Sequence, residues 1–254
     1  MKQENFEELS FRINISTVNI NYQNVMRWLK NAPFFEVAFF QADDIKKFQE
    51  PVAWKSNYLN EFFEKLHSFK YPIFSKFKDS SGNSVLLGIG KKNSFLLFHI
   101  YNLQASLQQW VEYIKYFFEN ENIGIVACIY PKDDLFWQRN TDPKQYELMG
   151  KSLENIKLIP FNKVKSFIDT ISLPGYPEYV DDLWFGSTWK MIYGEEYFQF
   201  IAKDKLLSYS NAYQIEKLKN NAISITLFPN YEDYSTDEAR RLQQDFKDYI
   251  KMKD

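Results

Sequence analysis

In the stretch FRINISTVNI (residues 11–20) apolar and polar side chains take turns. Successive side chains of a strand point to opposite faces, so a period of two predicts a strand with one buried face. NYQNVMRWLKNAP changes the period: Val25, Trp28 and Leu29 share one helical face, Asn21 stands in the capping position and Pro33 stops the helix. FFEVAFFQ (34–41) predicts a buried strand, and NYLNEFFEKLHSF (57–69) a helix presenting Leu59, Phe62, Phe63 and Leu66. PIFSKFKDSSGNSVLLGIGKKNSFLLFHIYN reads as three strands joined by turns at 79–83 and 90–93, and strands linked this way run antiparallel.

The clearest helix spans 103–122. Leu107, Trp110, Val111, Ile114, Phe117 and Phe118 form one continuous apolar stripe. IGIVACIYP (123–131) follows as a central strand, apolar on both sides. Residues 132–150 are loosely patterned, IKLIPF (156–161) reads as a strand and KVKSFIDTI (163–171) as a short helix. SLPGYPEYVDD (172–182) reads as a loop, and divides the chain into candidate units 1–171 and 172–254 unless the two are one continuous domain. Residues 183–193 predict one strand covered on both faces. Core is the expected place for its aromatic side chains, and Lys190 within it needs a carboxylate partner or a route to solvent. A short helix starting at Glu195, a hairpin over 213–230 turning near 219–221, and a final helix over 235–250 with Ser235 and Glu238 as a capping box complete the chain. Hairpin-linked strands with helices between them predict an α+β fold, a largely antiparallel mixed sheet with helices packed on its faces.

Composition adds two points. Phe, Tyr and Trp make up 19% of the 254 residues, so rings supply much of the buried area. The net charge is −2 and no Lys/Arg block occurs, which argues against a nucleic-acid partner. MKQENFEELSF is polar, without the apolar core of a secretory signal, and no stretch approaches the roughly 20 apolar residues of a membrane span. A cytoplasmic location without membrane association is the expectation.

Candidate chemistry is sparse. The single cysteine, Cys128, sits in an apolar run and reads as a small buried hydrophobe. His99 shares a strand face with Leu97 and Tyr101, where a hydrogen-bonded histidine is expected, and His67 lies near a helix end. LLGIGKKN lacks the spacing of a phosphate loop. No metal-ligating or nucleophile motif is present, so no catalytic residue, metal or cofactor is assigned. Carboxylates remain. Asp133, Asp134, Asp142 and Glu147 are the raw material for a metal-dependent or two-carboxylate hydrolase near 133–147. The simpler reading is a polar turn followed by a helix cap.

The run LWFGSTWKMIYGEEYFQFIAKDKLLSYSNAYQIEKLKNNAISITLF carries a W-x-M-x-Y-G-x-x-Y-F pattern. It resembles the C-terminal part of small bacterial cytoplasmic proteins of uncharacterised or immunity type, the antidote partners of polymorphic toxins. The resemblance covers the last third of the chain. It implies a non-enzymatic inhibitor that binds a toxin domain, and it carries no residue-level assignments. On charge and aromatic character alone, the candidate partner contacts are Asp133, Asp134, Trp137, Tyr179, Asp181, Asp182, Glu195 and Glu196, with residues 232–233 beside them. Neither the partner's identity nor the oligomeric state is encoded in any motif.

Overall fold

The computed structural model describes residues 8–154, 156–162, 165–180 and 183–251, the side chains of Tyr179, Val180 and Trp184 excepted. Strand β1 (Leu9–Ser16) leads into α1 (Tyr22–Asn31), whose cap is Asn21: its side chain accepts a hydrogen bond from Asn24 N at 2.9 Å. Next come β2 (Phe39–Ala42), β3 (Val52–Ala53) and α2 (Ser56–Lys65). The meander follows as β4 (Ile73–Lys78), β5 (Ser84–Ile89) and β6 (Asn93–Ile100). Helix α3 (Leu107–Glu119) starts at a full capping box between Ser106 and Gln109 and runs into β7 (Gly124–Pro131). Two short helices, α4 (Asp134–Arg139) and α5 (Pro143–Leu148), precede the hairpin β8 (Leu158–Pro160) and β9 (Ser166–Ile168). A second small hairpin, β10 (Glu178–Val180) and β11 (Leu183–Phe185), leads to β12 (Lys190–Tyr193) and α6 (Lys203–Leu207). The chain ends with β13 (Gln214–Lys217), β14 (Ile223–Thr226) and α7 (Asp237–Lys251).

Ten strands form one sheet in the order β13-β14-β12-β7-β1-β6-β5-β4-β2-β3, every neighbour antiparallel. The fold is therefore α+β with an antiparallel sheet. That sheet takes strands from either side of residue 171. On one face, Phe11 stacks on Phe98 at 4.4 Å between centroids, with Trp110 and Tyr113 of α3 edge-on or tilted to them. Tyr113 also donates its hydroxyl to the Trp28 carbonyl at 2.9 Å, which locks α3 to α1. Each such ring pair contributes about 0.5–1.5 kcal/mol beyond its buried area.

Several expectations need correcting. Residues 34–41 are not one strand: Phe34 is left-handed at φ 53° and exposed, and pairing begins at Phe39. The helix expected over 163–171 is replaced at 166–168 by β9, because Ile159 finds Phe167 as a cross-strand partner; residues 163–164 lie outside the described residues. The loop expected over 172–182 contains β10. Residues 183–193 break into β11 and β12, which belong to different sheets. Thr188 Oγ1 and Ser187 Oγ tie the break down by donating to the carbonyls of Ile129 (3.0 Å) and Gln243 (2.6 Å). The last helix starts later than expected, with Thr236 Oγ1 accepting from Ala239 N at 3.2 Å.

The aromatic stretch packs inward where it is described. Phe185, Trp189, Tyr193 and Tyr197 are all buried, and the Trp189 indole donates to the Phe228 carbonyl at 3.0 Å. Lys190 has the carboxylate it needs, Glu216, at 3.7 Å. Cys128 is buried too, and burial pushes its thiol up to about 12. His99 has Ser10 Oγ at 3.4 Å from Nδ1. No helix among the described residues is long and apolar enough to cross a membrane.

Candidate functional site

Strand β7 is apolar along its length, and where it leaves the sheet the chain turns sharply. Lys132 takes a left-handed conformation at φ 42°, strained for a residue with a side chain. Two hydrogen bonds from its N–H hold it, to the Glu8 carbonyl (3.0 Å) and the Tyr231 hydroxyl (3.1 Å), and its ammonium pairs with Glu232. The turn aims Asp133 and Asp134 back toward the body of the protein rather than into solvent.

Asp134 is fully buried. Its carboxylate accepts from Arg240 Nη1 at 2.7 Å, Gln138 Nε2 at 3.2 Å and Gln243 Nε2 at 3.4 Å. Gln138 in turn accepts from Gly175 N at 3.1 Å, so α4, α7 and the segment before β10 meet at one carboxylate. Asp133 accepts from the Tyr234 hydroxyl at 2.6 Å and from the Trp137 indole, with Lys151 Nζ at 4.0 Å. Burial, with the Asp133 bond added, pushes the Tyr234 hydroxyl above its ordinary range. Lys151 is pushed down by burial, which the Asp133 charge opposes, and it lies 4.7 Å from the centre of the Trp137 ring.

A buried cation on the same helix as Arg240, Lys247, has partners of its own. Lys247 donates to the carbonyls of Ile171 and Leu173, each at 3.0 Å, and has Glu178 at 3.3 Å. Burial pushes its ammonium down, against the pull of Glu178. These groups satisfy one another internally. Buried charges persist only when paired and hydrogen-bonded, and this arrangement meets that condition.

The four acids of the carboxylate reading are not gathered. Asp142 is exposed and caps α5 by accepting from Lys144 N at 3.0 Å, and Glu147 is exposed on the same helix. Among the described residues no three His, Cys, Asp or Glu side chains are placed to hold a metal ion. Of the candidate partner contacts, Asp134 and Trp137 lie inside, with Trp137 only 2% exposed and its ring 4.9 Å from Tyr146. Asp133 faces inward onto Tyr234 and Trp137. Glu195 and Glu196 are exposed, as expected. Tyr179 has its backbone in β10, paired with Trp184, while Asp181 and Asp182 lie outside the described residues.

A different surface stands out, and sequence reasoning missed it. The β8–β9 hairpin has an inner side and an outer side. Inside, Ile168 is buried in a small satellite core with Trp137, Tyr146 and Leu173. Outside, Ile159 and Phe167 face each other in register, and the Phe161 ring lies 5.1 Å from that of Phe167. These three are 47%, 40% and 67% exposed, and Leu148, Met149 and Leu158 of the same region are exposed as well. Scattered exposed apolar residues are ordinary; here they cluster on one hairpin. One signal was available: IKLIPF is apolar and strand-like, and KSFI could have been tested as its pairing partner instead of as a helix.

No protein-family model matches the chain, and no curated protein matches it in sequence. Among solved structures, the Pseudomonas aeruginosa T6SS protein PA0821 has a similar fold: TM-score 0.51 at 8% identity, over 95% of this chain and 72% of that one. At that identity the likeness is one of fold alone.

Proposed function

We propose that this chain is a non-enzymatic binding protein of immunity type, which holds a toxin domain and neutralises it. The observation that carries the reading is the outward apolar side of the β8–β9 hairpin, where Ile159, Phe161 and Phe167 stay in water although the chain has a large core to bury them in. Exposed aromatic and aliphatic groups on a short hairpin suit the centre of a protein interface, where a few such anchors supply most of the binding energy. The immunity-type resemblance of the last third of the chain points the same way, and so does a fold shared with a T6SS protein. The exposed acids Glu195 and Glu196 would add steering if the toxin is basic.

The test is capture from native lysate with tagged wild type and with Ile159→Asp/Phe161→Asp. Recovery of one stoichiometric toxin-like protein by wild type, lost with the double variant, is the expected result. If wild type recovers none, or if both proteins recover it equally, the reading fails.

A further inference from the structure

Strand β13 forms one edge of the large sheet, and beside it lies a second group of buried polar side chains. The register places them. Lys190 of β12 stands opposite Thr226 of β14, and Thr226 opposite Gln214 of β13; two residues along, Ile192, Ser224 and Glu216 make the next row. Directly opposed residues and residues two apart share a face, so Lys190, Thr226, Ser224 and Glu216 lie together. It is the face that α3 covers. The Lys190 row continues through Ile129 to Phe11, against which Trp110 packs, and Lys115 of α3 has its Nζ 3.7 Å from Glu216 Oε2.

These groups are close together and do not satisfy one another. Lys190 Nζ also lies 3.7 Å from Glu216 Oε2, beyond direct hydrogen-bond distance, and Lys115 Nζ is 3.6 Å from Glu112 Oε1. Glu216 Oε2, Ser224 Oγ and Thr226 Oγ1 are buried without a hydrogen-bond partner among the described residues. Seven buried side-chain nitrogen or oxygen atoms there lack one, and three of the seven are these. Buried polar groups are as a rule hydrogen-bonded, so the concentration calls for a reason. Lys247 gives the contrast: it is the other buried lysine among the described residues, and its ammonium donates to two carbonyls at 3.0 Å. Burial pushes the Lys190 ammonium down; Glu216 opposes this and the Lys115 charge adds to it. The Glu216 side chain is 32% exposed against 10% for Lys190, so the cluster reaches solvent on its β13 side.

We infer that this cluster captures a small neutral aldehyde or ketone, with Lys190 as the amine that forms an imine and Ser224 and Thr226 as the hydroxyls that hold the carbonyl oxygen. Charge selects a neutral occupant: the ammoniums of Lys115 and Lys190 face the carboxylates of Glu112 and Glu216, which favours neither an anion nor a cation. A lysine is activated for this chemistry by desolvation or by a neighbouring cation, and Lys190 has both. Glu216, within reach of Lys190 through one water, takes a proton from the ammonium. The freed nitrogen lone pair adds to the carbonyl carbon, the carbonyl π pair moves to oxygen, and a proton passes from nitrogen to that oxygen to give the carbinolamine. The C–O bond then breaks, oxygen leaves as water with the proton that Glu216 returns, and the nitrogen lone pair closes the C=N bond. One ammonium and one carbonyl become one protonated imine and one water, with no change of oxidation state. The inference does not rest on the reading of the chain as an inhibitor.

The test is competition among the lysines of the intact protein. Wild type is treated with substoichiometric propanal and sodium cyanoborohydride, which delivers hydride to the imine carbon and fixes it as a propylamine, and the labelled sites are read by peptide mass mapping. Lys190 is expected to label about tenfold or more faster than the exposed Lys30 and Lys55, and to lose that preference in urea. Ser224→Ala/Thr226→Val, checked by circular dichroism for an intact fold, is expected to slow labelling at Lys190 and to leave Lys30 and Lys55 unchanged. Labelling of Lys190 no faster than that of Lys30 and Lys55 in wild type overturns the inference without recourse to a variant. So does a folded double variant that labels like wild type. Lysate capture bears on neither outcome, so the inference and the proposed function can fail separately.

Discussion

Arg240 of α7 donates to Asp134 at the start of α4 across 2.7 Å, and that carboxylate is wholly buried. The pair joins residues 106 positions apart, with Gln138 and Gln243 completing the set of donors. Removing one partner leaves a buried charge uncompensated. Arg240→Leu is therefore expected to destabilise the protein by about 3–5 kcal/mol, measured by urea unfolding. Arg240→Leu combined with Asp134→Leu should lose less than the two single changes added together, because no unpaired charge remains. A single variant as stable as wild type would show the network to be dispensable.

Gly194 and Gly124 make a different kind of contact. A Cβ on Gly194 would overlap the Gly124 carbonyl oxygen, and Gly194 N donates to the Ile125 carbonyl at 2.9 Å, so the backbones cannot separate freely. Gly194→Ala is expected to destabilise by about 1–3 kcal/mol through overpacking. Gly82 offers the contrast. It has open space around it but a φ of 93°, so Gly82→Ala costs about 1–2 kcal/mol through conformation alone. Thermal unfolding of both variants checks this, and a Gly194→Ala protein as stable as wild type would refute the close approach.

The two sides of the β8–β9 hairpin should respond oppositely to mutation. Ile168 is buried against Trp137 and Leu173, and Ile168→Ala is expected to lose about 2–5 kcal/mol. Phe161 is 67% exposed, and Phe161→Ser should stay within about 0.5 kcal/mol of wild type. A large loss at Phe161 in urea unfolding would mean that the outer side is structural.

Stability at high pH should be set by buried hydroxyls. Burial holds Tyr113, Tyr193 and Tyr197 far above the ordinary tyrosine range, raises Tyr209, Tyr231 and Tyr234, and pushes Tyr146 up to about 12. An unfolded tyrosine ionises near pH ~10. Above that the unfolded chain releases protons the folded one retains, so this contribution is complete below pH ~10 and is lost as pH rises through the folded values. Lys190 and Lys247 act in the opposite sense. Burial pushes them down, so the unfolded chain binds more protons and stability gains as pH climbs toward the ordinary lysine value near ~10.4. Lys151 is pushed down in the same way, and seven tyrosines outweigh three lysines. Urea midpoints are expected to hold or rise slightly from about pH 8 to 10 and fall steeply by about pH 11; a midpoint level to pH ~11 would contradict the sign.

Reading elements from the chain succeeded where the pattern was long and local. The α3 stripe from Leu107 to Phe118 and the uninterrupted apolar run of β7 each record their burial in their own spacing. The meander was legible because its turns carry Asp, Ser, Gly and Asn. Short pieces were not. KSFI fits a helix turn or a strand equally well, and only the presence of Ile159 opposite Phe167 decides for β9. Residues 183–193 looked like one strand because nothing local shows that Ser187 and Thr188 are held by Gln243 and Ile129.

The sequence by itself determined the elements with clear periods, the α+β class and the fact that most rings go inward, because hydrophobic spacing and ring content are properties of neighbouring residues. The tertiary structure decided the rest. Whether a carboxylate is surface or keystone depends on distant donors: Asp134 looked like a solvated turn residue until Arg240 and Gln243 were seen to meet it. Whether an apolar side chain is core or contact surface depends on which face of its strand is covered. Ile168 is buried and Phe167 beside it is not, because the satellite core lies on one side of a two-stranded hairpin and water on the other.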